Sequence, residues 1–283
     1  MKWMKNVRIS KLAIWNPRLA ASCLIISIIG FMAIFAPFLS RHGPIKFHPI
    51  ERYQSPSPRY WFGTDQYGRD IFSRVVYGSR STLLIGVVSA MISIVLGGII
   101  GLLAGYFGGN VDEAIMRLGD SLLAIPSLLF ALLIVGALGG SMVNAILAIG
   151  IAFVPRGARV VRSAALSVKQ ERFIDAAKVR GESALYIIFR ELLPNIWPTI
   201  IVEASQRVAW SIFSGASLSY LGLGAQPPSP EWGLMIRLAR NEISLSPYPM
   251  LFPACMLTLL IVAFNLLGDG VDDALRAYYR KRR

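Results

Sequence analysis

The sequence has few charged residues, and those it has are unbalanced in sign. Asp, Glu, Lys and Arg make up 16% of the 283 residues, against roughly 25% in a typical soluble domain, so a soluble globular protein is not expected. Hydrophobic residues make up 54%, which excludes intrinsic disorder because disordered chains are low in hydrophobicity. The net charge is +13, and the basic residues flank long apolar runs. This pattern predicts a membrane protein with its positive charge on the cytoplasmic side, not a nucleic-acid-binding protein.

Cysteine, histidine and catalytic motifs are nearly or wholly lacking. Cys23 and Cys255 lie in apolar runs and indicate small hydrophobic residues, not a disulfide framework. His42 and His48 have no carboxylate or cysteine grouping around them, so no metal site is expected. The sequence contains no G-x-x-x-x-G-K-[ST] phosphate loop, no G-x-G-x-x-G, no His-Glu-x-x-His and no G-x-S-x-G. It therefore predicts a chain that is not an enzyme and binds no cofactor.

Long apolar runs are the main positive feature of the sequence. Crossing a hydrocarbon core of about 30 Å takes about 20 helical residues. The run at 121–155 would reach about 52 Å as one helix, and Gly139, Gly140 and Ser141 divide it into two. The first run is longer than a signal-peptide core and has no clear cleavage site, which favours a retained anchor. The six predicted spans lie at 19–40, 83–106, two within 121–155, 196–221 and 248–267.

The distribution of Lys and Arg predicts the orientation of these spans. Six spans put both termini on one side, and the excess of basic residues favours the cytoplasm for both, an N-in/C-in topology. A five-span alternative would place the basic tail that ends the chain on the outer side. The sequence therefore predicts an all-α integral membrane protein with six transmembrane helices.

Two side-chain patterns inside the spans have more than one interpretation. Small residues recur every four positions in the second span and would let another helix approach closely, although they could also line a substrate path; they are Ser89, Ser93, Gly97, Gly101 and Gly105. Glu203 and Arg207 stand four apart in the fifth span, so they share one helix face. They could form an intrahelical ion pair near the inner interface, or a polar lining or gate of a translocation path.

The predicted cytoplasmic loop at 156–195 carries an amphipathic pattern. Its apolar residues recur at helical spacing and predict two helical pieces separated at Gly181, the second stopped by Pro194. The apolar face could be covered by the membrane surface or by a groove of a soluble partner.

Several segments resemble the permease subunits of binding-protein-dependent ABC importers. Asp175-Ala176-Ala177-x3-Gly181, followed nine residues later by Glu191-Leu192-Leu193-Pro194-Asn195, is similar to the family's EAA motif. Asp175 stands in place of its glutamate, and Glu191 stands where many peptide-type members have histidine. Segments at 62–74, 104–117, 218–233 and 265–270 extend the resemblance over essentially the whole chain. The likeness is closest to the "C"-type permease of the dipeptide/oligopeptide/nickel group.

The resemblance implies a type I ABC importer permease of the bacterial inner membrane, with segments 1–78 (N-terminus, first helix and outer loop), 79–270 (permease core) and 271–283 (basic tail). Its implied partners are a second permease, one or two ATP-binding subunits that hold ATP and Mg, an extracytoplasmic solute-binding protein and the lipid membrane. No nucleic acid partner is expected. Residues 173–181 would form the coupling helix, with Asp175 capping it or meeting a cation. The implied ATPase-coupling residues are Phe173, Asp175, Ala176, Ala177, Gly181, Glu191 and Pro194.

The outer segment and the class of transporter each leave alternatives open. Asp65, Arg69 and Asp70 could belong to a surface that docks the binding protein or the second permease, or to a structured loop that packs on the spans. A stand-alone secondary transporter of a small polar solute is the alternative function, with Glu203 and Arg207 as its ionisable candidates, although no clear internal repeat is visible. An integral membrane enzyme is the third, and the lack of a catalytic grouping argues against it.

Overall fold

The structure is a computed structural model that describes residues 17–280, and within this range it contains helices and no β-strand. The N-terminal segment before Pro17 and the last three residues of the predicted basic tail lie outside the described residues. The helices are α1 (Pro17–Ile34), α2 (Ala36–Leu39), α3 (Ile71–Phe107), α4 (Gly109–Leu123), α5 (Ser127–Leu138), α6 (Met142–Lys169), α7 (Arg172–Val179), α8 (Ala184–Tyr186), α9 (Leu193–Tyr220), α10 (Trp232–Ala239) and α11 (Tyr248–Arg280).

Five helical segments of the described chain are long and apolar enough to cross a membrane, and a bent pair of helices makes a sixth. The five are α1, α3, α6, the continuous helix from Ala184 to Tyr220, and α11. The pair is α4 and α5, which meet at an angle of 85°. The prediction of an all-α protein with several membrane-spanning helices is confirmed, and the predicted six spans are reached when the bent pair counts as one span. The N-in/C-in orientation and the segment boundaries remain predictions.

The sequence predicted the third span as one straight helix beginning at residue 121, and the structure differs. Residues 121–123 end α4, and α5 begins only at Ser127, after Pro126. Proline has no N–H to donate and disfavours helical geometry in the residue before it, so the helix breaks there. The 12 residues of α5 reach about 18 Å, which is too short to cross the core alone. The predicted break after Leu138 is confirmed, with the Ser141 hydroxyl accepting from the N–H of Asn144 at 3.1 Å.

The small residues of the second span pack against α6. A Cβ atom added to Gly97 would lie 2.9 Å from both the N of Ala158 and the O of Val154. One added to Gly105 would lie 2.7 Å from the Cβ of Ala165. Backbones can approach this closely only where side chains are absent or small. The close-packing interpretation of this stripe is therefore the one the structure supports.

The prediction that Pro194 stops a helix is wrong. The chain runs from α8 through a π-helical stretch at Ile187–Leu192 directly into α9, where Pro194 stands in the first turn. A proline ring inside a helix clashes with the carbonyl four residues earlier, here that of Arg190. The wider π-helical turns at that point accommodate the ring and keep the helix continuous.

Candidate coupling and transport sites

The helix predicted at residues 173–181 is present as α7 (Arg172–Val179), and its coupling role remains a prediction. Glu171 precedes its first turn, and Gly181 follows its end with a φ of +76°. The N–H of Gly181 donates to the O of Lys178 at 2.9 Å, and that of Glu182 to the O of Ala177 at 3.2 Å. This left-handed turn closes the helix and favours glycine. Asp175 does not cap the helix but accepts from Lys178 Nζ at 3.0 Å, which is the cation alternative.

One face of α7 is packed into the permease and the other is exposed. Ile174 and Ala177 are fully buried in a cluster with residues of α6, the π-helical stretch and α9. Phe173, Ala176 and Val179 are exposed, Val179 by 88%. Of the two alanines implied to couple to the ATPase, only Ala176 is therefore open to a partner. Ala177 is small because its own loop packs over it, and Ala176 faces outward.

Glu191 forms its ion pair inside the loop. Its Oε1 lies 3.6 Å from Nη2 of Arg180, which directly follows α7. Arg180 also donates from Nε to Glu182 at 3.4 Å. The pair links the end of α7 to the π-helical stretch, so the loop supplies the partner of Glu191 from within the chain.

The helix that leads into α7 is held by charged contacts with its neighbours. Arg162 of α6 donates from Nε and Nη2 to the carboxylate of Asp112 on α4. Lys169, at the end of α6, donates from Nζ to the O of Tyr106 on α3 at 2.6 Å. A displacement of α7 therefore acts directly on α6 and, through these contacts, on α3 and α4.

Asp65, Arg69 and Asp70 point inward and organise the outer loop. Asp65 accepts from the N–H of Tyr67 at 2.9 Å and from Arg69 Nε at 2.7 Å. Asp70 accepts from the N–H groups of Phe72 and Ser73 and so caps α3. All three side chains are buried. Their burial favours the interpretation of a structured loop that packs on the spans. None of the three side chains is exposed for direct contact with a partner.

Two buried charged residues to which the sequence interpretation assigned no role hold the outer loop and α10 in place. Arg74 is 1% exposed and donates to the O of Pro44 at 3.0 Å and the O of Ser229 at 3.2 Å. Glu231 is fully buried and caps α10 by accepting from the N–H groups of Gly233 and Leu234. Burial raises the pKa of Glu231, while those N–H donors act in the opposite direction. The only sequence signal was that Arg74 and Glu231 lie in the 62–74 and 218–233 segments.

Glu203 and Arg207 form the predicted intrahelical ion pair, with Arg207 Nη2 donating to Glu203 Oε1. The guanidinium carbon of Arg207 lies 4.8 Å from the ring centroid of Phe153 on α6. The side chains are 4% and 13% exposed for Arg207 and Glu203. The pair stands near the middle of α9 and faces Phe153, near the middle of α6.

The matching family model and the curated relatives both describe membrane components of transport systems. Residues 97–277 match the model described as "Binding-protein-dependent transport system inner membrane component". A dipeptide transport system permease protein of Alkalihalophilus pseudofirmus is 43% identical over 271 residues, covering 96% of this chain and 87% of the relative. A glutathione transport system permease protein of Pectobacterium atrosepticum is 40% identical and covers 90% and 85%. A probable D,D-dipeptide transport system permease protein of Escherichia coli is 41% identical and covers 92% and 87%.

A solved structure shares the fold at low sequence identity. The MetNI methionine ABC transporter, in an inward-facing conformation, superposes with a TM-score of 0.59 at 20% identity, covering 71% of this chain and 96% of the other. At that identity the likeness concerns the fold alone. The family match covers more than half of the chain, and the relatives align over nearly all of it. The chain therefore belongs to the family of binding-protein-dependent transport system inner membrane components and is a transport permease of the bacterial inner membrane.

Proposed function

We propose that this permease works in an ATP-driven importer of short peptides or peptide-like solutes and forms the translocation path with a second permease. The exposed face of α7, where Phe173, Ala176 and Val179 lie beside the Asp175–Lys178 ion pair, is the observation that carries this proposal. The opposite face packs on the loop. A short helix packed on one face and bare on the other is suited to a groove in a partner. The peptide class comes from the relatives, which are named for dipeptide and glutathione transport.

ATP and Mg belong to one or two partner subunits in this proposal, and this chain binds no cofactor. Closure of the ATP-binding subunits would draw α7 of each permease toward the other. Because only Gln170 and Glu171 separate α6 from α7, and α6 contacts α3 and α4, the spans would swing as a unit between inward-facing and outward-facing states. The permease supplies two conformations and no chemistry of its own.

The remaining predicted residues have proposed roles in the same cycle. The solute-binding protein docks on the outer loop, whose shape Asp65, Arg69 and Asp70 maintain from within. Phe173, Asp175 and Ala176 contact the ATP-binding subunit, while Ala177, Gly181, Glu191 and Pro194 hold the loop that presents them. Glu203 and Arg207 belong to the translocation path.

The decisive experiment is co-purification of the tagged chain from gently solubilised native membranes, followed by uptake assays. A second permease and ATP-binding subunits should accompany it, and uptake should require ATP. Gly181→Val should abolish uptake while leaving membrane insertion intact, because valine is strained at a φ of +76°. A chain that purifies without partners would contradict the proposal.

A stand-alone secondary transporter is the second candidate, favoured by the buried Glu203–Arg207 pair alone. Ionisable residues buried inside spans often mark solute or ion pathways. Uptake that an ionophore abolishes and that ATP leaves unchanged would select this alternative.

A further inference from the structure

Arg207 has more hydrogen-bond donors than the surrounding residues satisfy. Its Nη2 donates to Glu203, while its Nε and Nη1 are buried and have no partner among the described residues. A guanidinium is a permanent cation with five N–H donors and no acceptor. Two of its nitrogens therefore lack the acceptor oxygen that a buried donor ordinarily has.

Unpartnered polar atoms concentrate around this arginine. Five buried side-chain atoms in the described part of the chain have no hydrogen-bond partner, and four of them are Ser93 Oγ, Ser211 Oγ and the two Arg207 nitrogens. Ser211 follows Arg207 by one helical turn on α9. Ser93 Oγ of α3 lies 3.8 Å from the Cβ position of Gly157, one turn along α6 from the Phe153 ring that Arg207 covers. Helices α3 and α9 thus bring unsatisfied polar atoms to a region of the bundle that α6 lines with Phe153 and Gly157.

The charges of this region match a solute with one group of each sign. Glu203 and Arg207 compensate each other, and residues four apart on a helix have Cβ atoms about 5–6 Å apart. A free ion would leave one of the two unpaired in a medium of low dielectric constant, which is strongly unfavourable. A molecule with an ammonium and a carboxylate group could replace both partners at once and leave no charge unpaired.

We propose that Glu203 and Arg207 form a binding position for zwitterionic short peptides, with the peptide carboxylate on Arg207 and its ammonium group on Glu203. The peptide exchanges places with the internal ion pair, and the Ser93 and Ser211 hydroxyls donate to or accept from its remaining polar groups. Because the Arg207 nitrogens are covered here, the position opens only when α9 and α6 separate. This inference rests on the proposed function, since it requires a peptide in the path and a permease with two conformations.

The test uses the complete importer in proteoliposomes, with its binding protein, ATP and the dipeptide dialanine. The variant Glu203→Met/Arg207→Met removes both charges and puts flexible apolar side chains in their place, and replacing a buried ion pair by apolar side chains of similar volume is often neutral or stabilising. Asp272→Met/Arg276→Met is the control, because that carboxylate–arginine pair has the same four-residue spacing but is exposed near the end of α11. We expect the first variant to lower dialanine uptake at least tenfold. Its thermal midpoint should not fall, and its ATPase stimulation by the loaded binding protein should stay within twofold of wild type. The control should change none of the three.

A second comparison separates recognition of the peptide carboxylate from a structural role. Relative to wild type, the double variant should lose at least fivefold more uptake of dialanine than of dialanine amide, which lacks the carboxylate. Uptake of dialanine within twofold of wild type by the double variant would overturn the inference. A loss of uptake, ATPase stimulation and thermal midpoint together would also overturn it, by assigning the pair a structural role. Failure of the proposed function would appear separately, as absence of ATP-dependent uptake by the wild-type importer.

Discussion

Gly97 and Gly98 are adjacent in sequence and have opposite surroundings. A Cβ on Gly97 would meet backbone atoms of α6 at 2.9 Å, whereas a Cβ on Gly98 would have no described heavy atom within 4 Å. We expect Gly97→Ala to lower the free energy of unfolding by about 1–3 kcal/mol, because backbone must move to admit the methyl group. Gly98→Ala should be neutral or stabilising, since alanine is the better helix former. Thermal unfolding of the two variants in the same detergent checks the contrast.

Arg74 joins the outer loop to the segment that follows α9 through two carbonyl oxygens. Arg74→Met should leave both carbonyls without their buried donor and lower stability by about 1–3 kcal/mol. Limited proteolysis should then cut the 41–70 loop faster than in wild type. Arg59→Met is the control, because the Arg59 side chain is 65% exposed and pairs with Glu51 at the surface, where ion pairs contribute little. Equal protection of the loop in both variants would contradict this role for Arg74.

One face of α7 is buried and stabilises the permease, and the other is exposed and is proposed to contact the ATP-binding subunit. The two roles can be tested separately. Ile174→Asp places a charge in a fully buried position and should destabilise the permease strongly. Val179→Asp should leave stability within about 0.5 kcal/mol, because exposed positions tolerate substitution. It should nevertheless reduce co-purification of the ATP-binding subunit at least tenfold. Unchanged co-purification would remove Val179 from the proposed contact.

The elements α4 and α6 are linked by the Asp112–Arg162 ion pair, whose side chains are largely buried. Asp112→Asn should lower both thermal stability and uptake, because Arg162 loses its charged partner. The exchange Asp112→Arg/Arg162→Asp should recover part of both, since the attraction is restored with the charges reversed. A double variant no better than the sum of the single ones would show that the pair does not link the helices energetically.

The whole molecule combines a tightly packed group of helices with an exposed arm, formed by α4 and α5. Close backbone contacts join α3 to α6, while α4 contains no buried residue and α5 only Ala131 and Val135. Segments with few buried contacts open easily, and a covering partner protects them. We expect amide hydrogen exchange in α4 and α5 to slow in the assembled importer relative to the isolated chain. Exchange along the α3–α6 contact should be the same in both, and equal exchange of α4 and α5 in the two samples would show that no partner covers the arm.

Features that depend on local order along the chain could be predicted from the sequence. The lengths of the apolar runs predicted the spans, since helical rise and membrane thickness are constant. The amphipathic spacing and Gly181 predicted α7, because periodicity and a left-handed turn are properties of a few consecutive residues. The four-residue spacing likewise predicted the Glu203–Arg207 pair.

Burial and contacts between residues far apart in the sequence were decided only by the tertiary structure. Spacing could not show that Ala177 faces inward and Ala176 outward, that Asp65 and Arg69 are buried together, or that Phe153 lies against Arg207. The 85° bend before Ser127 also escaped prediction, because Pro126 signals a break and not the angle the chain takes after it. By itself the sequence determined an all-α transport permease of the membrane with an amphipathic loop between the fourth and fifth predicted spans. Burial and partner choice for each charged side chain were decided by distant helices packing together, since no local pattern encodes which neighbour covers a face.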